Sequence, residues 1–121
     1  MTGWVWLGVG LLGGIGALGR FLLDAAVSLR LGRQFPVGTL VVNVSGAFLL
    51  SLLAGLGVGG RAMLLAGTAT LGSYTTFSTW MLESQRPGED GELRLAVANL
   101  TVSLLVGLAA AAAGWTLGGA L

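Results

Sequence analysis

The sequence has 121 residues, of which 55% are hydrophobic and 9% are charged, with no His and no Cys. So little charge cannot cover the surface of a water-soluble domain, and the expected solvent is therefore the bilayer. The missing His and Cys exclude disulfides, thiolate sites and the commonest metal ligand, which argues against an enzyme. The net charge is +1 and the Arg residues are scattered, a pattern that does not favour nucleic-acid binding.

Four apolar segments are separated by charges and turn residues, and each is close to the roughly 20 residues that a helix needs to cross a membrane. They run from about Trp4 to Leu29, Pro36 to Val58, Ala62 to Leu82 and Leu93 to Leu117. The third connection, from Glu83 to Glu92, carries Pro87 and Gly88 as turn signals. The first segment has no cationic leader or cleavage site, so we expect it to be retained. The prediction is an all-α integral membrane protein, a single domain of residues 1–121 with four transmembrane helices.

Glycine is concentrated in these helices rather than in the connections. The pairs Gly10/Gly14, Gly55/Gly59 and Gly114/Gly118 are each four residues apart. Small residues at this spacing let membrane helices approach closely, so we interpret all three pairs as packing surfaces.

The Arg residues indicate an orientation. Arg30, Arg33 and Arg86 lie in the two connections on one side, with Arg94 near them, whereas Arg61 lies on the other side. Because cationic loops tend to stay in the cytoplasm, this distribution favours a chain with both termini outside.

Polar side chains within the first two helices need partners, because a charge at mid-bilayer costs about 2.5–3.5 kcal/mol on insertion scales. Arg20 and Asp24 are one helical turn apart and could form an ion pair. Arg20 could instead reach the headgroups, or attract anions at the mouth of a channel. Asn43 is either a helix–helix hydrogen-bonding residue or a donor that lines a pore.

The fourth helix carries a polar stripe. Asn99, Ser103 and Gly107 are spaced four residues apart and share one face. A serine within a helix commonly bonds the carbonyl one turn back, so Ser103 is either satisfied locally or part of a polar pathway.

The third segment is the most polar of the four. From Thr68 to Thr79 it is rich in hydroxyl side chains and contains Gly72, a composition that does not favour a regular lipid-facing helix. The pattern predicts a break near Gly72 and Ser73. The freed carbonyls of such a break are suitable ligands for Na⁺, although neighbouring helices could satisfy them instead.

Two aromatic residues follow the predicted break. Phe77 and Trp80 are three residues apart, with Ser78 and Thr79 between them. Ring edges carry partial positive charge and can face an anion, but the spacing alone favours core packing for both rings. Glu83 is either a solvated interfacial charge or the next member of the same stripe.

Three motifs together resemble the bacterial Fluc (CrcB) fluoride channels. They are GGIGALGRF at 13–21 in the first helix, PVGTLVVN at 36–43 in the second and GSYTTFSTW at 72–80 in the third. The resemblance covers nearly the whole chain, and it is specific because all three motifs occur in this order.

Membership of this family would imply an antiparallel, dual-topology homodimer with two fluoride pores along its interface. The channel would export cytoplasmic fluoride passively across the bacterial inner membrane, and its partners would be fluoride, lipid and the second subunit. The Arg asymmetry opposes dual topology. We give the motifs more weight, because flanking charges bias insertion only gradually.

The resemblance also implies roles for particular residues. The carbonyls of Gly72 and Thr75 from both subunits would hold one central structural Na⁺. The fluoride pathway would consist of Arg20, Asn43, Phe77, Ser78, Thr79, Trp80, Glu83 and Ser103. Two positions depart from the family pattern: Trp80 replaces the second pore phenylalanine and adds an N–H donor, and Gly107 stands where a hydroxyl is expected.

Two other membrane-protein classes compete with a channel. One is a small antiparallel drug or metabolite exporter. Proton-coupled export usually needs a membrane-embedded carboxylate, and the first helix offers only Asp24, close to its end. A non-transporting scaffold would leave Asn43 and the predicted break without a function. The sequence therefore favours the fluoride channel.

Overall fold

The fold is described by a computed structural model for residues 2–32 and 34–121. Arg33, one of the cations counted in the first connection, lies outside these residues. The described chain is all-helical, as predicted, with α1 at Gly3–Leu31, α2 at Val37–Gly55, α4 at Ser78–Glu89 and α5 at Leu93–Ala120. The remaining helical stretch, α3, covers residues 60–74 and joins Gly60–Ala62, a π-helix at Met63–Leu71 and Gly72–Tyr74.

Three helices, α1, α2 and α5, are long and apolar enough to cross a membrane. This finding supports a multi-pass membrane protein. The predicted third span differs, because α3 and α4 are separate helices of 15 and 12 residues with residues 75–77 between them.

The interruption lies later in the sequence than predicted. Gly72 and Ser73 are helical, and Thr75 is the first extended residue, with φ −77° and ψ 159°. A glycine is permissive in either conformation, so its presence does not decide where a helix ends. Hydrogen bonds from α2 to Thr76 mark the position of the break instead.

The predicted third connection was also wrong, because α4 continues as far as Glu89 and includes Pro87 and Gly88. Gln85 Nε2 donates to Glu89 Oε1 at 2.9 Å within this polar part of the helix. Pro87 lies near the end of α4, and its carbonyl accepts the Glu92 N–H at 2.7 Å. Charge and proline therefore mark the end of the apolar span rather than the end of the helix.

Helices α2 and α5 pack closely along glycines. A Cβ at Gly118 would lie 2.5 Å from the Leu52 carbonyl oxygen and 2.8 Å from the Leu56 nitrogen, and Gly114 and Gly55 are equally close to the opposite backbone. The predicted packing role is confirmed for these three glycines. It was wrong within the chain for Gly10, Gly14 and Gly59, where a Cβ would meet no described atom within 4 Å.

The nine-residue π-helix in α3 was not predicted. The Thr70 hydroxyl donates to the Leu65 carbonyl, five residues back, at 2.7 Å. The Thr70 carbonyl in turn lies against Gly16 of α1, where a side chain would clash. Most π-helices are single-turn bulges, and the apolar pattern of residues 63–71 does not distinguish this geometry from an α-helix.

Replacing Gly118 by Ala should destabilise the fold, because the added methyl group would meet backbone atoms of α2 rather than a flexible side chain. We expect the free energy of unfolding in detergent micelles to fall by about 1–3 kcal/mol. Gly119→Ala is the matched control on the same helix, since its Cβ would meet no described atom within 4 Å. Equal losses for the two variants would contradict the packing.

Candidate functional site

The break between α3 and α4 is paired with the side chain of Asn43 in α2. Asn43 Nδ2 donates to the Thr76 carbonyl oxygen at 2.8 Å, and the Thr76 N–H donates to Asn43 Oδ1 at 2.8 Å. Both backbone polar groups of Thr76 are therefore satisfied by α2. Since an unpaired backbone group in hydrocarbon costs several kcal/mol, this pairing makes non-helical backbone tolerable here. Of the two alternatives for Asn43, hydrogen bonding within the chain is present, but its partner is the backbone of the break rather than another helix.

Four successive carbonyl oxygens, those of residues 72–75, accept no hydrogen bond in the part of the chain that the structure describes. In a continuous helix the Thr76 N–H would bond the Gly72 carbonyl, but it donates to Asn43 instead. The Thr79 N–H would bond the Thr75 carbonyl, but it donates to Thr76 Oγ1 at 3.3 Å. The carbonyls of Gly72 and Thr75 are thus available to another partner.

An open groove follows the break. Its first part, of about 330 Å³, is lined by Asn43, Thr75, Thr76, Phe77 and Trp80 together with three small or apolar residues of α2. A second part, of about 310 Å³, is lined by Asn43, Trp80, Ser103 and Gly107 among others. Because Asn43 and Trp80 line both parts, we treat them as one groove along α2, α4 and α5.

The two aromatic rings meet edge to face in this groove. The Phe77 and Trp80 centroids are 5.7 Å apart with an interplanar angle of 79°. Phe77 is 68% exposed, so core packing within the chain was the wrong interpretation for this ring. The irregular backbone before α4 carries Phe77 away from the helix bundle, which the three-residue spacing could not reveal.

A buried polar network joins α4 to α5. Asn99 is only 1% exposed, and its Nδ2 donates to Ser84 Oγ at 2.7 Å. Its Oδ1 accepts from Ser103 at 3.3 Å, and its backbone carbonyl accepts the Trp80 indole N–H at 3.4 Å. The network therefore holds the groove residues Trp80 and Ser103. Asn99 bonds every other member of the network, which its position in the polar stripe did not indicate.

A separate cavity of about 160 Å³ lies beside α1 and is lined by Arg20, Phe21, Asp24, Thr39, Val42, Thr76 and Thr79. The buried Nε of Arg20 has no hydrogen-bond partner among the described residues. No ion pair links Arg20 to Asp24 within the described chain; Asp24 instead accepts from Ser28 at 3.2 Å. The pairing alternative for Arg20 is therefore not realised.

Glu83 is half-buried and not simply solvated. The Thr39 hydroxyl donates to Glu83 Oε1 at 2.5 Å, and Thr39 itself is buried and lines the Arg20 cavity. This hydrogen bond ties α4 to α2 at the edge of the cavity.

The predicted site residues fall into distinct places. Arg20 and Thr79 line the cavity, whereas Asn43, Phe77, Trp80 and Ser103 line the groove, and Ser78 is exposed and lines neither. Thr76 lines both the cavity and the groove but was not among the predicted site residues. The two adjacent threonines that begin the TTFSTW motif were the sequence signal that could have indicated Thr76.

Comparison with known proteins places this arrangement in a family. The family model described as CrcB-like protein, Camphor Resistance (CrcB), matches residues 7–115. The chain is 60% identical over 107 residues to fluoride-specific ion channel FluC 2 of Mycolicibacterium paratuberculosis, with 88% of each chain covered. It is 58% identical over 110 residues to FluC 2 of Mycobacterium bovis, covering 91% of this chain and 87% of the relative.

A more distant relative is FluC 2 of Moorella thermoacetica, which is 44% identical over 119 residues, with 96% of this chain and 98% of the relative covered. The chain therefore belongs to the CrcB family, as its motifs indicated. This is a family of ion channels and not of enzymes.

Replacing Ser84 by Ala should destabilise the protein, because the buried Asn99 amide would lose its hydrogen-bond acceptor. We expect the free energy of unfolding in micelles to fall by about 1–3 kcal/mol. Ser78→Ala, at an exposed serine of the same helix, is the control and should change it by less than about 0.5 kcal/mol. If both variants unfold alike, the Asn99 network does not stabilise the fold.

Proposed function

We propose that this chain is a fluoride-selective ion channel that lets cytoplasmic fluoride leave the cell passively. The observation that carries this proposal is the groove, in which Asn43 and Trp80 line one part with the exposed ring of Phe77 and the adjoining part with Ser103. The two mycobacterial relatives named fluoride-specific ion channels support it. HF that enters a cell dissociates there, and the trapped fluoride then moves down its electrochemical gradient through the channel, which gives fluoride resistance.

The groove offers replacements for the water that fluoride loses. The exposed Phe77 ring presents its partially positive edge, and the Asn43 amide has a second N–H beyond the one that donates to Thr76. The single O–H of Ser103 donates to Asn99 Oδ1, so this hydroxyl must rotate away from Asn99 to donate to the anion. The Trp80 N–H already donates to the Asn99 carbonyl, so we assign the indole edge rather than its N–H to the anion. Gly107 has no side chain, and this end of the groove is correspondingly open.

The Arg20 cavity supplies the electrostatic part of the pathway. A cation at a channel mouth raises the local concentration of anions, and the Arg20 Nε has no partner among the described residues. Hydroxyl groups of Thr39, Thr76 and Thr79 line the same cavity. In this proposal fluoride passes from Arg20 to the groove by way of Thr76, with Ser78 and Thr79 adding hydroxyls nearby. Glu83 holds the Thr39 side of the cavity wall.

A second copy of the chain would cover the groove. Polar groups without partners are costly in lipid, and in the single chain the groove and Phe77 are open. We assign α3 and α4 together as the fourth span, since the two helices jointly have enough residues to cross roughly 30 Å of hydrocarbon. The assembly is an antiparallel, dual-topology homodimer in the bacterial inner membrane. Two pores run along its interface, to which both subunits contribute the same surface.

The end of α3 fits a central Na⁺. The Gly72 and Thr75 carbonyls are neutral, hard oxygen ligands that accept no hydrogen bond from the described residues. The part of the chain that the structure describes has no cluster of three or more acidic, His or Cys side chains for a metal, so backbone oxygens are the suitable ligands. Two carbonyls from each subunit would provide four. A cation there would offset the negative ends of two α3 helices meeting at the dimer axis.

Purified protein in liposomes should pass fluoride and very little chloride. Fluoride-loaded vesicles in sodium buffer should release fluoride once valinomycin supplies a parallel path for K⁺, because the conducted species is charged. A fluoride electrode measures the efflux, with protein-free vesicles and chloride-loaded proteoliposomes as controls. Efflux equal to that of protein-free vesicles would refute the channel, and efflux that requires a proton gradient would indicate an exporter.

The ring edge of Phe77 should be essential for conduction. Phe77→Ile keeps an apolar side chain but removes the ring, and we expect efflux to fall to the protein-free rate while the elution volume of the dimer is unchanged. Trp80→Phe is the contrasting variant: it keeps a ring edge but loses the second fused ring and a long N–H bond of 3.4 Å. Because the ring edge remains, efflux should stay within about tenfold, or about 1.4 kcal/mol. Unchanged efflux in Phe77→Ile would remove this ring from the pathway.

A further inference from the structure

The Asn43 side chain makes two kinds of contact. It lines both parts of the groove, and the same side chain pairs with the N–H and the carbonyl of Thr76 at 2.8 Å each. An Asn amide nitrogen carries two hydrogens, so the bond to the Thr76 carbonyl leaves one N–H for another acceptor.

The pairing with Thr76 changes which α3 carbonyls are free. If the helix continued, the Thr76 N–H would close onto the Gly72 carbonyl, four residues back. Asn43 Oδ1 takes this N–H instead. The Thr76 hydroxyl acts in the same way one turn later, since it accepts the Thr79 N–H that would otherwise reach the Thr75 carbonyl. The two diverted amides correspond to the two carbonyls assigned above to the central cation.

We propose that Asn43 is a positioning residue for the central cation: by pairing with Thr76 in place of α3, it keeps the Gly72 carbonyl open as a ligand, and the Thr76 hydroxyl does the same for Thr75. This inference rests on the proposed cation site. It makes one side chain of the anion pathway responsible for the geometry of the cation site, so the two sites are mechanically linked through the break.

The test measures cation binding without measuring flux. The thermal midpoint of the purified dimer is followed by tryptophan fluorescence while Na⁺ replaces N-methyl-D-glucamine at constant ionic strength, because a ligand of the folded state raises the midpoint. Asn43→Leu removes the acceptor for the Thr76 N–H, and we expect the half-saturating Na⁺ concentration to rise at least about tenfold. Ser45→Ala is the matched control, since it removes a different contact between α2 and α3, the Ser45–Tyr74 hydrogen bond of 2.8 Å, and should leave this concentration unchanged.

Asn43→Asp separates the two roles of the residue. The carboxyl group of Asp accepts the Thr76 N–H and, when protonated, donates its O–H to the Thr76 carbonyl in place of the amide, but it has no spare N–H for an anion. This variant should keep the Na⁺ dependence of the wild type and lose fluoride efflux in liposomes. Loss of the Na⁺ dependence in Asn43→Asp would overturn the assignment of the Oδ1 acceptor.

Thr76→Val and Thr76→Ser test whether the Thr76 hydroxyl keeps the Thr75 carbonyl open. They also test the positioning role if Asn43→Leu does not fold. Thr76→Val should raise the half-saturating Na⁺ concentration at least about tenfold. Thr76→Ser, which keeps the hydroxyl, should leave it unchanged. Wild-type Na⁺ affinity in Asn43→Leu, or in Thr76→Val, would overturn the positioning role while leaving the cation site intact. A wild-type midpoint that does not respond to Na⁺ would overturn the cation site and this inference together, without affecting the fluoride efflux.

Discussion

The hydrogen-bonded pair between Asn43 and Thr76 is the interaction on which the rest of the site depends. In hydrocarbon, backbone that leaves a helix must find partners within the protein, and here α2 provides them with one side chain. The break then permits three things that a continuous helix would not: free carbonyls at residues 72–75, an exposed Phe77 and a new helix that begins at Ser78. The proposed cation site and the proposed anion pathway are therefore adjacent at Thr76.

The position of Asn43 is itself fixed by the packing of α2. This helix lies against the glycines of α5, where backbone meets backbone at Gly114 and Gly118. Such close approach leaves little freedom for α2 to rotate or slide, which is why a side chain on it can hold a specific register against α4. The Thr39–Glu83 hydrogen bond connects α2 directly to α4, about one turn from Asn43.

The indole of Trp80 has a physical consequence in the fold. Trp80 needs an acceptor for its indole N–H, and the Asn99 carbonyl is that acceptor. Asn99 in turn is held by Ser84, at a position where α4 extends beyond the apolar span. The Trp80 indole is thus held by a hydrogen bond to α5, and it meets the Phe77 ring edge to face in the groove.

The helical membrane fold and the family of this protein could be predicted from its sequence. Low charge and long apolar segments give membrane helices, because a chain can bury so many apolar residues only in lipid, and three ordered motifs gave the family. The same patterns could not position the break, since Gly72 is compatible with a helix and the decisive partner, Asn43, lies 33 residues away from Thr76. The π-helix, the extension of α4 through Pro87 and the exposure of Phe77 were decided by tertiary structure for the same reason. Each depends on contacts between helices, which the periodicity of a single segment does not encode.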